Sequence, residues 1–491
     1  MSDTDISNLI EGNEERHSDA EIVRQGCGGT LCCDPARRLH RYVMLIFICF
    51  LSFGDYLCYD SPAALQDVML SDLSITATEF MNFYAFVSWP NVIMCFIGGF
   101  LVDRVFGIAR GALVFSSIVF GGQLLFGIGA FINSYPLMCF ARFFYGTGSE
   151  SLGVCQNTYT SLWFPPSELN FVFGLQLSMS RAGSTLTMNI MHPIYEAIGK
   201  HFGITGTKRL GATLWVGCAF CLYSCICCLM LYFFTKRADR ELKAQEARYS
   251  GRSETEEAEK IVLKDIIHFP VEFWIISVIC VAFYVTVFPF ISLGLVFFER
   301  KFYLSVTDAA LVNSLVYIIS AAASPVFGAA IDFTGRNLYW VFTSVGVVLG
   351  CHLCFAFTSG QIPPLVLMII MGFGYSILAS SLWPLVSYLL PLHQRGTAYG
   401  LMQCVQNLGL AVIAIVAGYL VDNKGYLFLE VFFLFWLSLA MAGTFLLYVL
   451  DSNKKRLLNM SGKERRAMNA VEVEKKATPT TSEDRLRPES A

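Results

Sequence analysis

Apolar runs dominate this sequence. They lie at about 40–60, 79–102, 110–132, 136–163, 168–198, 211–234, 270–298, 308–331, 338–358, 363–390, 395–421 and 426–450. An α-helix rises about 1.5 Å per residue, so each run can cross a hydrocarbon core of about 30 Å. Lipid offers no hydrogen bonds to the backbone, and a helix satisfies its own. The expected fold class is an all-α membrane protein with 12 transmembrane helices. Composition agrees, with 55% hydrophobic and only 15% charged residues over 491 positions. A soluble chain of that length needs far more charge. The net charge of −3 gives no reason to expect a nucleic-acid partner.

Cation placement sets the expected orientation. Arg37, Arg38 and Arg41 flank the first run, and Arg104 and Arg110 follow the second. Lys236, Arg237, Arg240, Lys243, Arg248, Arg252, Lys260 and Lys264 crowd the central segment, and Lys454, Lys455 and Arg456 open the tail. The stretch Asp60–Glu79 has no cation. The positive-inside rule then puts both termini and the central segment in the cytosol. No cleavable signal peptide is expected, because the first 35 or so residues are polar.

The 17 cysteines include Cys218, Cys221, Cys225, Cys227 and Cys228 inside one apolar run. They read as small hydrophobes rather than a disulfide or zinc framework. Cys27, Cys32 and Cys33, just ahead of the first span, are candidates for palmitoylation.

The chain repeats itself. GLQLSMSRAG (Gly174–Gly183) and GLMQCVQNLG (Gly400–Gly409) lie 226 residues apart. The same offset carries Gly146 to Gly372 and Pro165 to Pro391, and a nearby one carries Asp103 to Asp332. Three coincidences in order indicate a duplicated six-helix unit. The expected organisation is a tail (1–38), a six-helix bundle (39–234), a linker (235–269), a second bundle (270–451) and a disordered tail (452–491).

GGFLVDRVFGIARG, between the second and third runs, resembles the loop signature of the major facilitator superfamily, G-x-L-x-D-R-x-G-R, with one residue inserted. It supplies Gly99, Asp103, Arg104 and Gly107, and Asp332 and Arg336 echo it after the eighth run. The expected role is a gate latch. YDSPAALQ, FYAFVSWPNV, GSESLGVCQNTY, LNFVFGLQLSMSRAGST, SPVFGAAIDFTG, GTAYGLMQCVQNLG and DNKGYLFLEVFF extend the resemblance, over about 40–450, to a branch of that superfamily that carries dipeptides out of lysosomes. The resemblance implies two pseudo-symmetric six-helix halves and dipeptide uniport by alternating access. It also implies a heavily glycosylated lysosomal membrane protein as accessory subunit, and it leaves a homodimer open. No cofactor is implied.

Ionisable groups within spans cost about 2.5–3.5 kcal/mol each on insertion scales, so they need a reason. Glu150 and Arg181 both fall near mid-membrane, on the consecutive fourth and fifth runs, and are expected to meet. An opposite pair suits a zwitterion: Glu150 for an ammonium, Arg181 for a carboxylate. Without substrate they would neutralise each other; a permanent salt bridge is the competing reading. The resemblance favours function, since the family's dipeptide site uses an acidic and a basic residue here. Asp55 and Arg142 are candidate proton or gate sites, and His192 and His352 read as structural. Further cavity candidates are Tyr56, Tyr59, Trp89, Asn91, Gln156, Asn157, Tyr284, Tyr317, Trp383, Gln403 and Asn407. By the repeat, Arg181 pairs with Asn407 and Glu150 with Ser376, so the charge lies in the first half.

No catalysis is expected. GTGSES does not match the G-x-S-x-G elbow, and no Walker motif is present. Asp5, Leu9 and Ile10 match an acidic dileucine sorting signal in a polar tail, which implies adaptor proteins as partners. The one N-x-[ST] sequon, Asn459-Met460-Ser461, falls on the expected cytosolic side, where it cannot be glycosylated. Two other readings stay open: a proton-coupled carrier of a sugar or amino acid, and a receptor or scaffold without flux.

Overall fold

The computed structural model describes residues 38–101, 107–164, 166–249, 269–358, 361–390, 392–454 and 457–464. They form fifteen helices: α1 (Arg38–Leu51), α2 (Phe53–Tyr59), α3 (Ser61–Ala64), α4 (Gln66–Asp72), α5 (Ala77–Leu101), α6 (Ile108–Phe131), α7 (Tyr135–Trp163), α8 (Pro166–Phe202), α9 (Gly206–Tyr249), α10 (Val271–Phe302), α11 (Val306–Thr334), α12 (Asn337–Phe357), α13 (Pro364–Leu389), α14 (Leu392–Lys424) and α15 (Tyr426–Asn453). Among the described residues nine helical segments are long and apolar enough to cross a membrane, α1–α2 counting as one. The others of comparable length are α5, α7 and α8, with 25, 29 and 37 residues. α7 and α8 are among the more polar helices, and the three carry much of the site described below.

The first expected span is broken where its side chains reach outward. The Ser52 hydroxyl, at the α1–α2 junction, donates to Gln156 Oε1 at 2.6 Å instead of to its own helix. Asp60 ends α2, and Pro62 starts α3 in the first turn, where its missing N–H costs nothing. The expected loop from Asp60 to Glu79 is therefore helical as far as Asp72.

The repeat reappears as packing. A Cβ on Gly183 would stand 2.6 Å from Phe53 O, and one on Gly409, 226 residues on, 2.5 Å from Val281 Cγ1. So α8 presses on α2 as α14 presses on α10. Likewise a Cβ on Gly146 would meet Val87 O at 2.3 Å, and one on Gly372 would meet Ile319 Cβ at 2.8 Å. Small residues let helix backbones approach where lipid gives no hydrophobic drive. Gly107 and Gly335, which close the two loop signatures, share a left-handed φ of 68° and 69° that an L side chain resists.

Two connections are more ordered than composition suggested. α9 continues through the first part of the expected linker to Tyr249. In the last turn of α15, Asp451 Oδ1 and Oδ2 each accept one backbone N–H, from Leu458 and Asn459, both at 3.0 Å. Met460 O accepts from Arg336 N at 2.9 Å, and Leu458 is fully buried. The first residues of the second tail thus strap the α11–α12 turn. The sorting-signal residues Asp5, Leu9 and Ile10, the cysteines Cys27, Cys32 and Cys33, and Asp103 and Arg104 lie outside the described residues.

Candidate substrate site between the halves

Glu150 projects from α7 and Arg181 from α8, both in the first half. Glu150 Oε2 accepts from Gln403 Nε2 of α14 at 2.9 Å. Asn407, one turn further on, donates to Gln403 O at 3.1 Å and to Cys95 Sγ of α5 at 3.7 Å. The Arg181 guanidinium lies 4.4 Å from the centroid of the Tyr375 ring on α13. Its Nε is buried without a hydrogen-bond partner. Among the described residues no ion pair joins Glu150 to Arg181. The expected mutual neutralisation is thus corrected: each charge faces a neutral group on the opposite half. Arg181 finds the negative face of an aromatic ring, and Glu150 finds an amide donor.

Tyrosines connect the two charges. Tyr56 lies within electrostatic reach of Glu150, Asp55, Tyr375 and Arg181, yet 40% of it is accessible. Tyr59 packs edge-on to Tyr84 with centroids 5.5 Å apart. Tyr317 donates to Asp60 Oδ1 at 3.2 Å, joining α11 to the end of α2. In the second half, Trp383 Nε1 donates to Tyr284 OH at 3.1 Å, and the Tyr284 and Tyr375 rings meet at 6.1 Å.

Other candidates are built into the first half. Asp55 accepts from Tyr145 OH at 2.6 Å and Ser149 Oγ at 3.0 Å, tying α2 to α7. Arg142 is buried, donates to Cys58 O at 3.2 Å and lies 4.3 Å from the Phe126 ring centroid. Gln156 Nε2 donates to Ile48 O at 2.7 Å. Asn157 Oδ1 accepts from Gln176 at 2.8 Å, and Asn91 donates to Val87 O in its own helix. Trp89 shares an exposed stripe with Ile93 and Ile97, at one-turn spacing. The two histidines have acidic partners: His192 stands 3.4 Å from Asp67, and His352 is buried 2.7 Å from Glu430.

Sequence reasoning missed Tyr375 and Asp60. Tyr375 looks like packing in an apolar run, and Asp60 sits where a loop was expected. Among the described residues no group of three or more His, Cys, Asp or Glu could hold a metal ion.

The halves meet unevenly. On the face opposite the ends of α1 and α15, Asp422 of α14 accepts from the first turn of α5, and Gln66 accepts from Val296 N at 3.1 Å. Toward the face carrying those ends, Gly174 and Gly400 have their nearest added-Cβ neighbours across the boundary at 4.0 Å. The carboxylate and amide bonds between the halves thus gather on the first of these faces, and the second shows backbone approach at van der Waals distance.

The model of the Major Facilitator Superfamily matches residues 45–414 and 292–477. The chain belongs to the major facilitator superfamily. It is 48% identical over 468 residues to the lysosomal dipeptide transporter MFSD1 of Mus musculus, covering 95% of this chain and 99% of that protein. It is 49% identical to the MFSD1 of Danio rerio over 433 residues, 88% of this chain and 92% of the relative. The solved structure of a bacterial homologue of the human lysosomal transporter Spinster, inward-facing and unoccupied, superposes with a TM-score of 0.61 at 13% identity. It covers 84% of this chain and 97% of its own. The nucleoside transporter NupG gives the same score at 14% identity, covering 83% and 99%. These two likenesses establish the shared fold.

Proposed function

We propose that this chain is a dipeptide transporter of the lysosomal membrane. It exports dipeptides as a uniporter by alternating access. Its substrate bridges Glu150 and Arg181, with the peptide ammonium at Glu150 and the carboxylate at Arg181. The observation that carries this reading is the partnership of each charge with a neutral group of the opposite half. Two opposite charges that do not neutralise each other are available to a zwitterion. The spare Arg181 Nε is a ready donor for a carboxylate. Binding energy at both ends of a short ligand then draws the halves together around it.

In this reading all twelve expected spans cross the bilayer, with 39–234 and 270–451 as the two halves. Both chain ends face the cytosol, so the side sealed by Asp422 and Gln66 is lumenal. Asp103, Arg104, Asp332 and Arg336 latch the cytosolic side in the alternate state. The N-terminal Asp5, Leu9 and Ile10 recruit adaptor proteins. A glycosylated accessory subunit shields the lumenal side, since the chain's one sequon lies in the strapped cytosolic tail.

The test is uptake of Ala-Ala by the full-length protein in liposomes. Arg181→Ala is expected to lower it about ten-fold or more, since losing a charge-assisted contact costs about 1.5–3 kcal/mol. Unchanged uptake overturns the assignment.

A further inference from the structure

The first turn of α5 is capped from the other half of the molecule. A helix starts with N–H groups that have no intrahelical acceptor. Thr76 and Glu79 form a local capping box: Glu79 N donates to Thr76 Oγ1 at 3.2 Å, and Thr76 N donates to Glu79 Oε2 at 2.9 Å. Phe80 N reaches Thr76 O at 2.9 Å. That leaves the N–H groups of Ala77 and Thr78. Both donate to Asp422, at the end of α14, at 2.8 and 2.7 Å. The Thr78 hydroxyl adds a third bond to the same carboxylate at 2.5 Å.

One turn before Asp422, on the same face of α14, stands Gly418. A Cβ there would lie 2.6 Å from Thr78 Cα and 2.7 Å from Ala77 O. The two helices thus touch backbone to backbone, and the carboxylate sits on the positive end of α5. The local chain supplies half of the cap, and the opposite half of the protein supplies the rest.

We propose that Asp422 is the latch of the lumenal gate: it holds the lumenal seam shut and must release α5 whenever the site opens to the lumen. α5 and α14 belong to different halves, and alternating access rocks one half against the other. No such opening on this face can leave three bonds of under 3 Å intact. The neighbouring cross-half contacts, Gln66 to Val296 and Tyr317 to Asp60, are single bonds of 3.1 and 3.2 Å. Asp422 gathers three shorter ones on a charged acceptor, so it dominates the seam. It touches no substrate; it is a positioning residue that sets how often the lumenal side opens.

The experiment reads seam opening directly and needs no substrate, so it stands apart from the dipeptide assignment. Val296 is buried at the seam and is not one of the groups that Asp422 binds. In full-length protein carrying Val296→Cys, the labelling rate by a bulky hydrophilic maleimide is measured above the background of the unsubstituted chain. Asp422→Asn is expected to raise that rate about five-fold or more, a modest coupling between a contact and a two-state equilibrium. Asp422→Glu restores it to near the parent rate. Gly418→Ala leaves the carboxylate in place but wedges the helices apart, and it raises the rate as well. It also decides the matter if Asp422→Asn does not fold. Parental labelling rates in both Asp422→Asn and Gly418→Ala overturn the proposal.

Discussion

Gln403 donates its side-chain amide to Glu150 at 2.9 Å across the boundary between the two halves. Glu150 is thus satisfied by the half that carries no charge at the repeat-equivalent positions, Ser376 and Asn407. Arg181 likewise faces Tyr375 of that half, through its ring. The site thus pairs its two charges with neutral partners of the opposite half, and in the proposed mode a substrate's own termini replace them.

Replacing Gln403 with leucine removes its hydrogen bond to the Glu150 carboxylate. A hydrogen bond to a charged group is worth about 1.5–3 kcal/mol. The unliganded Gln403→Leu protein is therefore expected to melt several degrees lower than the parent in a thermal-shift assay. Saturating Ala-Ala should narrow the gap, because its ammonium replaces the lost donor.

Tyr375 can be tested by the same assay and by affinity. Tyr375→Phe keeps the ring face under the Arg181 guanidinium, and Tyr375→Leu removes it. A cation–π contact is worth about 0.5–2 kcal/mol. Tyr375→Leu is expected to weaken dipeptide binding several-fold, measured by titration calorimetry, while Tyr375→Phe stays much nearer the parent.

The glycine contacts predict a contrast within one half. Gly183→Ala drives a Cβ against Phe53 O, a backbone atom that cannot step aside. Overpacking of this kind costs about 1–3 kcal/mol, so its melting temperature should fall. An added Cβ on Gly153 meets nothing within 4 Å. Gly153→Ala should be neutral or slightly stabilising, because alanine is the better helix former by about 1 kcal/mol.

Much of the fold was legible in the sequence because lipid imposes a simple rule on backbone polar groups. Run length gave the helices, and the 226-residue offset of Gly183 and Gly409 anticipated two equivalent close contacts. The broken first span was not legible: Ser52, at the α1–α2 junction, meets a partner 104 residues away. The ordered strap after Asp451 was hidden in the same way, since its composition is that of a tail and only the turn at Arg336 gives it a surface to bind. Glu150 and Arg181 stood out as charges in apolar runs. Their partners did not, because glutamine and tyrosine are ordinary residues until the other half arrives.

The central claim is that the site reads the two charged ends of a short peptide. The most direct measurement compares uptake of Ala-Ala, N-acetyl-Ala-Ala and Ala-Ala-amide by the full-length protein in liposomes. Acetylation removes the ammonium that Glu150 takes, and amidation removes the carboxylate that Arg181 takes. Each blocked peptide is expected to enter about ten-fold or more slowly than Ala-Ala, the factor that about 1.4 kcal/mol gives. Equal uptake of all three would contradict the account.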